Sequence, residues 1–185
     1  MSVGLPGSVE PTRSPLEVRA GLVGVAVLRL TIGLVWMSEA YWKFPPEFGV
    51  LRRWVERPLE FPVFEPYNWV VEHIILPNFT LFGWTVFLAE AALAAFLLIG
   101  LATRLWALVG MVMTVPIIFS VINYHVTAAD GTTLGEWSWA YYMMLAIHAA
   151  LLGTAGGRAY GLDGVLRPHW KASSGRLAGL LARVS

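Results

Sequence analysis

The sequence contains no cysteine. This absence excludes disulfides, iron–sulfur ligation, covalent haem attachment and any thiol or persulfide carried by the chain, so a sulfur relay would require a partner. Charged residues are also scarce, at 14% of 185 residues, whereas 57% of the residues are hydrophobic. This composition is typical of a chain that folds in a lipid bilayer.

Four long apolar stretches together contain nearly half of the chain, and each is close to the ~20 residues needed to cross a hydrocarbon core. Several of the nine Trp residues lie near the ends of these stretches, where indole rings favour the headgroup interface. We therefore predict an all-α fold, an integral membrane four-helix bundle over residues 21–165, with no separate catalytic domain. The predicted spans cover residues 21–42, 79–102, 105–123 and 137–155.

The two ends of the chain differ in composition from the apolar stretches. Residues 1–20 are rich in Pro, Gly and Ser, which predicts a flexible cytoplasmic arm. Residues 166–185 form a basic tail in which Arg and Lys are spaced among Leu and Ala. This tail is either a short amphipathic helix on anionic headgroups or a disordered segment, because Pro168, Gly175 and Gly179 disfavour a helix.

The basic residues outside the apolar stretches are unevenly divided between the two sides of the predicted bundle. Eight lie on the side of both termini and four on the other, which predicts a multi-pass protein of the cell membrane with both termini cytoplasmic. The eight are Arg13, Arg19, Arg104, Arg158, Arg167, Lys171, Arg176 and Arg183, and the four are Lys43, Arg52, Arg53 and Arg57.

Residues 43–78 form a long extracytoplasmic connection between the first two spans and are unusually rich in aromatic residues. Phe48, Leu51 and Val55 recur at helical spacing, opposite the charged Arg52 and its neighbours, which predicts a short helix in the outer interface. Two interpretations remain open. The connection either lies along the membrane as a linker, or it caps an opening between helices or serves as a docking surface for an extracytoplasmic partner.

Three titratable or charged residues lie inside the predicted spans, where an ionised group costs several kcal/mol unless it is paired or faces water. They are Arg29, Glu90 and His148. From their depths we predict an Arg29–Glu90 pair with His148 nearby. This set is either a structural clamp or a quinone site, because Glu and His can exchange protons near neutral pH. For a quinone site, Glu90 and His148 are the catalytic candidates, and the binding candidates are Arg29, Trp36, Glu90 and His148.

A second polar set gathers at the outer ends of the spans. Glu39 and Lys43 have the favourable i,i+4 spacing for a salt bridge at headgroup level. Lys43 and His125 are also candidates for the entrance of a small anionic substrate, such as an oxo-sulfur species. The alternative is that His125 is an ordinary interfacial histidine.

Other cofactors fit the sequence poorly. His125 and His148 differ in predicted depth by ~15 Å, which excludes a haem held between two histidines. The glycines between Gly153 and Gly161 follow a membrane helix and precede no strand, so they predict helix termination rather than a dinucleotide fingerprint. We therefore predict no haem, iron–sulfur cluster, flavin or metal on this chain. A quinone, whose reduction would use the titratable Glu90 and His148, stays the candidate cofactor.

Several short motifs occur in a fixed order relative to the four stretches, and together they resemble the DoxX family of four-helix membrane proteins over about residues 22–165. The aromatic connection and the segment Glu136-Trp-Ser-Trp-Ala-Tyr141 make the chain more similar to the DoxD branch. The motifs are Arg29 with Gly33 and Lys43-Phe44, Glu90 ahead of Gly100-Leu-Ala-Thr-Arg104, and Gly153-x-x-Gly-Gly-Arg-Ala-Tyr-Gly-Leu-Asp163.

The resemblance implies a membrane subunit of a thiosulfate:quinone oxidoreductase, which passes two electrons from thiosulfate to a membrane quinone. The alternative is a non-catalytic membrane subunit that anchors or packs against a larger electron-transfer complex. A transporter or channel is a third possibility, although the sequence lacks inverted repeats. The expected partners are the lipid bilayer, a quinone and a second protein subunit of a redox complex, and no nucleic acid.

Overall fold

The computed structural model describes residues 14–127, 133–135, 138–154 and 156–185. Among these residues nearly every element is helical, which confirms the predicted all-α class. The exception is one antiparallel hairpin of β1, His125–Thr127, and β2, Thr133–Gly135. The α-helices are α1 (Pro15–Trp42), α2 (Leu51–Glu60), α3 (Glu65–Val70), α4 (Phe79–Ile99), α5 (Thr103–Val121), α6 (Ser138–Thr154), α7 (Leu162–Ala172) and α8 (Arg176–Val184).

Three described segments are long and apolar enough to cross a membrane: Pro15–Trp42, Glu65–Ile99 and Thr103–Val121. The second runs from α3 into α4 through a π-helical turn, Val71–Ile75, and a 3₁₀ turn, Leu76–Asn78. A proline in the second turn has no N–H for the α-helical ladder, so the change of helix type there has a local cause. α6 is shorter, with 17 residues.

The helices α1, α4, α5 and α6 pack side by side around a common core. α1 contacts α4 and α6, and α5 contacts the same two helices. Many large apolar side chains on the outward faces stay exposed, as expected for a surface that meets lipid. The buried core consists of Ile32, Trp36, Leu93, Ala94, Leu97, Ala107, Met144 and Leu151.

α1 begins earlier than the predicted first span. Ser14 is its N-cap, and Glu17 N–H donates to Ser14 Oγ at 3.2 Å while Ser14 N–H donates to Glu17 Oε2 at 2.7 Å. This reciprocal capping box satisfies two N–H groups at the start of the helix. Residues 15–20 therefore belong to α1 rather than to the predicted flexible arm, and residues 1–13 lie outside the described part of the chain.

The connection between α1 and α4 contains α2, which confirms the predicted short helix. Leu51 and Val55 on α2 are buried with Phe48 in a second apolar cluster. Arg52 pairs with Glu56 at 2.8 Å on the exposed side of the same helix. The predicted division of α2 into an apolar and a charged side is therefore also confirmed.

An arginine between two aromatic rings holds α2 against the end of α5. The guanidinium carbon of Arg57 lies 3.6 Å from the ring centroid of Trp54 and 3.6 Å from that of Tyr124. Each such contact contributes roughly 0.5–1 kcal/mol at an exposed site and more when it is desolvated. The aromatic residues of the connection therefore fix its position on the bundle.

The basic tail is helical, in agreement with the first of its two predicted alternatives. It differs from the prediction because it forms two helices, α7 and α8, with a break at residues 173–175. Gly175 is the N-cap of α8 and adopts an extended conformation. Pro168 lies inside α7, so this proline does not end the helix.

Candidate functional site

A buried ion-pair network joins the end of α1 to the middle of α4. Lys43 Nζ lies 2.8 and 3.0 Å from the two carboxylate oxygens of Glu90, and 2.9 Å from Glu39 Oε2. The side chains of Lys43 and Glu90 are 4% and 1% exposed, whereas that of Glu39 is 22% exposed. We call these three residues the Lys43 network. The predicted Glu39–Lys43 salt bridge is confirmed, but its link to Glu90 was not predicted.

The direction of helical side chains explains how Lys43 reaches Glu90. Side chains tilt toward the N-terminus of their helix, so Lys43, which directly follows α1, extends back along the bundle on a flexible four-carbon stem. Its ammonium lies 4.1 Å from the ring centroid of Trp42, and the indole N–H of Trp42 donates to Glu39 at 3.2 Å. The last turn of α1 therefore supplies one carboxylate and an aromatic face, and the residue that follows it supplies the cation.

The Lys43 network contains two carboxylates and one ammonium. When all three are ionised, one negative charge is unbalanced, and the uptake of one proton makes the network neutral. Charges interact strongly where water is excluded, so such a network can hold or release a proton in response to a nearby change in charge. This is its main chemical capacity.

Arg29 does not contact Glu90, and the predicted Arg29–Glu90 pair is wrong. Its terminal nitrogens donate to Leu97 O at 2.8 Å, Leu98 O at 3.1 Å and Tyr160 O at 3.2 Å. Two of these carbonyls belong to the last turn of α4, where carbonyls are under-satisfied, Leu97 O accepts only a long 3.3 Å bond from Gly100 N–H, and a cation is favourable. Arg29 therefore caps the end of α4, and Lys43 is the cation that pairs with Glu90.

His148 is fully buried between α1 and α5 and lies apart from the Lys43 network. Trp36 Nε1–H donates to His148 Nε2 at 2.9 Å, so this nitrogen carries no proton. His148 Nδ1 therefore carries the proton and donates it to Met144 O at 2.7 Å. A Cβ at Gly110 would collide with the imidazole ring, so the glycine makes room for it. Both ring nitrogens are engaged in hydrogen bonds, and proton transfer by His148 stays a prediction.

A cavity of about 650 Å³ adjoins the Lys43 network. Its lining is mainly apolar and comes from all four helices of the core and from the connection between α1 and α4. Glu39, Lys43 and Glu90 form its charged part. The lining from the connection consists of Leu51, Trp54, Val55, Tyr67, Val70 and Ile75. The connection thus forms one wall of the cavity, which agrees with the predicted cap.

The structure divides the predicted site residues into two groups. Glu90 and Lys43 line the cavity, whereas Arg29, Trp36 and His148 do not. The backbone of His125 lies in β1, but its side chain is outside the described part, so its role at an entrance stays a prediction.

Sequence reasoning also missed Tyr67 as a site residue. Tyr67 lines the cavity, its hydroxyl donates to Pro116 O at 3.1 Å, and Ser120 Oγ lies 3.4 Å from this hydroxyl. Only the aromatic content of the connection pointed toward it. The connection and α5 form this part of the cavity wall together. Residues that come from two separate segments do not recur at a regular spacing in the sequence.

An all-α chain with several spans, a buried ion-pair network and an apolar cavity defines a multi-pass membrane protein with a candidate ligand site. The chain belongs to the DoxD family, described as the small subunit of TQO, a thiosulfate:quinone oxidoreductase, because the family model matches residues 62–183. The match includes Glu90 and begins after α1. Comparisons with curated proteins and with solved structures found no match.

Proposed function

We propose that this chain is the quinone-binding membrane subunit of a thiosulfate:quinone oxidoreductase, and that the quinone ring binds in the cavity beside Lys43 and Glu90. The observation that carries this proposal is the combination of an apolar cavity with a buried Lys–carboxylate network in its wall. The family membership supports the same reaction class. Arg29, Trp36 and His148 then hold the helices in place.

The cavity fits a quinone in size and in chemistry. Its volume of about 650 Å³ lies within the ~300–1,000 Å³ that small-molecule sites usually occupy. Trp54 and Tyr67 offer aromatic walls to a flat ring. Lys43 is a hydrogen-bond donor for a quinone oxygen, because its contact with the Glu39 carbonyl, at 3.3 Å, is long and replaceable.

A bound quinone supplies the redox chemistry, since it accepts two electrons together with two protons. The chain's own part is to orient the ring, exclude water and provide protons. Glu90 is the group that delivers a proton into the cavity, and Glu39, which is more exposed, exchanges protons with the surroundings through Lys43. The electrons come from the joining of two thiosulfates as tetrathionate on a second subunit, because this chain has no cysteine for sulfur chemistry.

The proposal includes the membrane arrangement. α1, α4, α5 and α6 all cross the bilayer, with both termini in the cytoplasm and α2 outside it. The short α6 fits this role because its 17 residues reach the lower end of the ~17–25 residues of a spanning helix, and it packs against α1 and α5. In this orientation the Lys43 network lies in the outer half of the membrane, close to extracytoplasmic thiosulfate.

Activity of Glu90→Gln and Lys43→Met in the complex reconstituted with its donor subunit tests the proposal. We expect thiosulfate-dependent quinone reduction to fall by about 10²-fold or more in both, as for the loss of a proton donor. Glu56→Gln is the matched control, because Glu56 is an exposed carboxylate on α2 that pairs with Arg52 and does not line the cavity. Co-purification of the donor subunit verifies assembly.

Full activity of both cavity variants in an intact complex would contradict the quinone site. It would favour the alternative, a non-catalytic membrane subunit that packs against a larger electron-transfer complex.

A further inference from the structure

Three exposed residues in the wall of the cavity show where the cavity opens. They are Thr85 on α4, and Val112 and Pro116 on α5. The other described residues of the wall are buried or half-buried. The cavity therefore reaches the surface of the bundle between α4 and α5, rather than at the ends of the helices.

Val112 lies on the outward face of α5 and is 65% exposed. Leu108 and Val115, four residues before it and three after it, are 49% and 38% exposed and do not line the cavity. Residues at these spacings share one face of a helix. Val112 therefore lies where the outward face of α5 meets the wall of the cavity, and it forms one side of the opening.

Thr85 has the same position on α4. Leu81 and Leu88, four residues before it and three after it, are 71% and 58% exposed and do not line the cavity. The hydroxyl of Thr85 donates to Leu81 O at 2.8 Å, so its polar atom is satisfied within its own helix. Thr85 forms the other side of the opening, and the opening presents no unpaired polar side chain among the described residues.

Two contacts between aromatic residues bracket the opening along α5. At the end where α4 turns into α5, the rings of Phe96 and Trp106 stack with their centroids 4.7 Å apart. On the other side of Val112, the ring centroid of Phe119 lies 5.1 Å from that of Tyr67 in the connection. The helices α4 and α5 therefore contact each other at one end of the opening, and the connection contacts α5 at the other end.

The position of the opening indicates that it faces hydrocarbon. Val112 is the central residue of α5, with ~14 Å of helix on either side of it. Because α5 is long and apolar enough to cross the membrane, its middle lies in the hydrocarbon core. Thr85 precedes Glu90 by five residues, or ~8 Å of helical rise, so a ring beside Glu90 lies close to the opening.

We propose that ligands enter the cavity sideways from the hydrocarbon core, through the opening between Thr85 and Val112, and that the isoprenoid tail of a bound quinone extends through it into the lipid. This inference rests on the proposed quinone site and adds the class of substrate, a quinone with a long hydrocarbon tail. The ring lies beside the Lys43 network while the tail stays among lipid chains. A bulky side chain in the opening therefore excludes the tail and leaves room for the ring.

Competition between two quinones for the purified full-length chain in nanodiscs tests the inference. Isothermal titration calorimetry measures binding of the tailless ubiquinone ring, with or without long-tailed ubiquinone in the lipid of the nanodisc. For the parent chain, we expect the tailed quinone to weaken apparent binding of the ring by about tenfold through mass action. Val112→Trp and Thr85→Trp, whose indoles fill the opening, should bind the ring within about twofold of the parent chain but lose this competition.

Val115→Trp is the matched control, because Val115 is exposed on the same helix and does not line the cavity, and it should keep the competition. Competition that persists in Val112→Trp and Thr85→Trp, or loss of ring binding in them, would overturn the lateral opening and leave the quinone site standing. An equal loss of competition in Val115→Trp, or no competition in the parent chain, would do the same.

A parent chain that binds neither quinone would overturn the proposed function, and the lateral opening for quinone with it. This outcome differs from the others because the tailless ring needs the ring site but not the opening for its tail. Unchanged melting temperatures verify that the three tryptophan variants fold.

Discussion

Replacing Lys43 by methionine removes the only cation within 4 Å of Glu90 among the described ion pairs. Glu90 is 1% exposed and then remains buried beside a second carboxylate, Glu39. Breaking a buried ion pair from one side costs ~3–5 kcal/mol in soluble proteins, and less where water or lipid headgroups relax around the charge. We therefore expect Lys43→Met to be strongly destabilising.

Glu90→Gln should cost less, about 1–2 kcal/mol, because Lys43 keeps its 2.9 Å contact with Glu39. The double variant Lys43→Met/Glu90→Gln leaves no buried charge on α4. Its loss of stability should therefore be smaller than the sum of the two single losses by about 1–3 kcal/mol.

Arg29→Met provides the matched comparison. Arg29 binds carbonyls of the last turn of α4 and of Tyr160, so it shares no partner with Glu90. The losses from Arg29→Met and Glu90→Gln should add within ~0.5 kcal/mol. The assay is thermal unfolding in mild detergent, followed by tryptophan fluorescence, where 1 kcal/mol corresponds to about 2–4 °C for a chain of this size. Additive effects of Lys43→Met and Glu90→Gln, or clear coupling between Arg29 and Glu90, would refute this account of the network.

Three further changes test other parts of the structure. Gly110→Ala places a methyl group against His148 and should lower the stability by about 1–3 kcal/mol, and an unchanged melting temperature would contradict this packing. Asp163→Asn leaves one acceptor for two N–H groups at the start of α5 and should cost about 1–2 kcal/mol in the same assay, whereas no loss would argue against the cap. To test the topology, Glu60→Cys should react with an impermeant maleimide in intact cells, and Ser173→Cys should react only after permeabilisation. The reverse pattern would invert the proposed orientation.

The helices were predictable from the sequence because each depends on local patterns. Uninterrupted apolar runs located the helices of the core, and apolar spacing located α2 and its buried side. The start of α1 was missed although Ser14 and Glu17 have the spacing of a capping box. A capping box consists of only two residues, whereas the Pro- and Gly-rich composition of residues 1–20 favoured a flexible arm.

The pairing of the buried charges was not predictable from depth alone. Counting residues from the ends of the spans gave Arg29 and Glu90 similar depths, but in the structure Gly33, one turn after Arg29, packs against Leu98 near the end of α4. Arg29 therefore lies beside the last turn of α4 and binds its carbonyls instead of Glu90. Lys43 directly follows α1, and the length and direction of its side chain bring its ammonium to the carboxylate of Glu90. The cavity likewise depends on how the connection folds over the bundle, which involves contacts between distant parts of the chain.

Binding of a short-chain quinone to the purified chain in nanodiscs, measured by isothermal titration calorimetry, tests the central claim most directly. Ala89 lines the cavity, whereas its neighbour Leu88 is 58% exposed on the outside of α4. The account predicts saturable binding that Ala89→Phe abolishes by filling the cavity and that Leu88→Phe leaves unchanged. Equal binding by both variants, or no saturable binding by the parent chain, would contradict it.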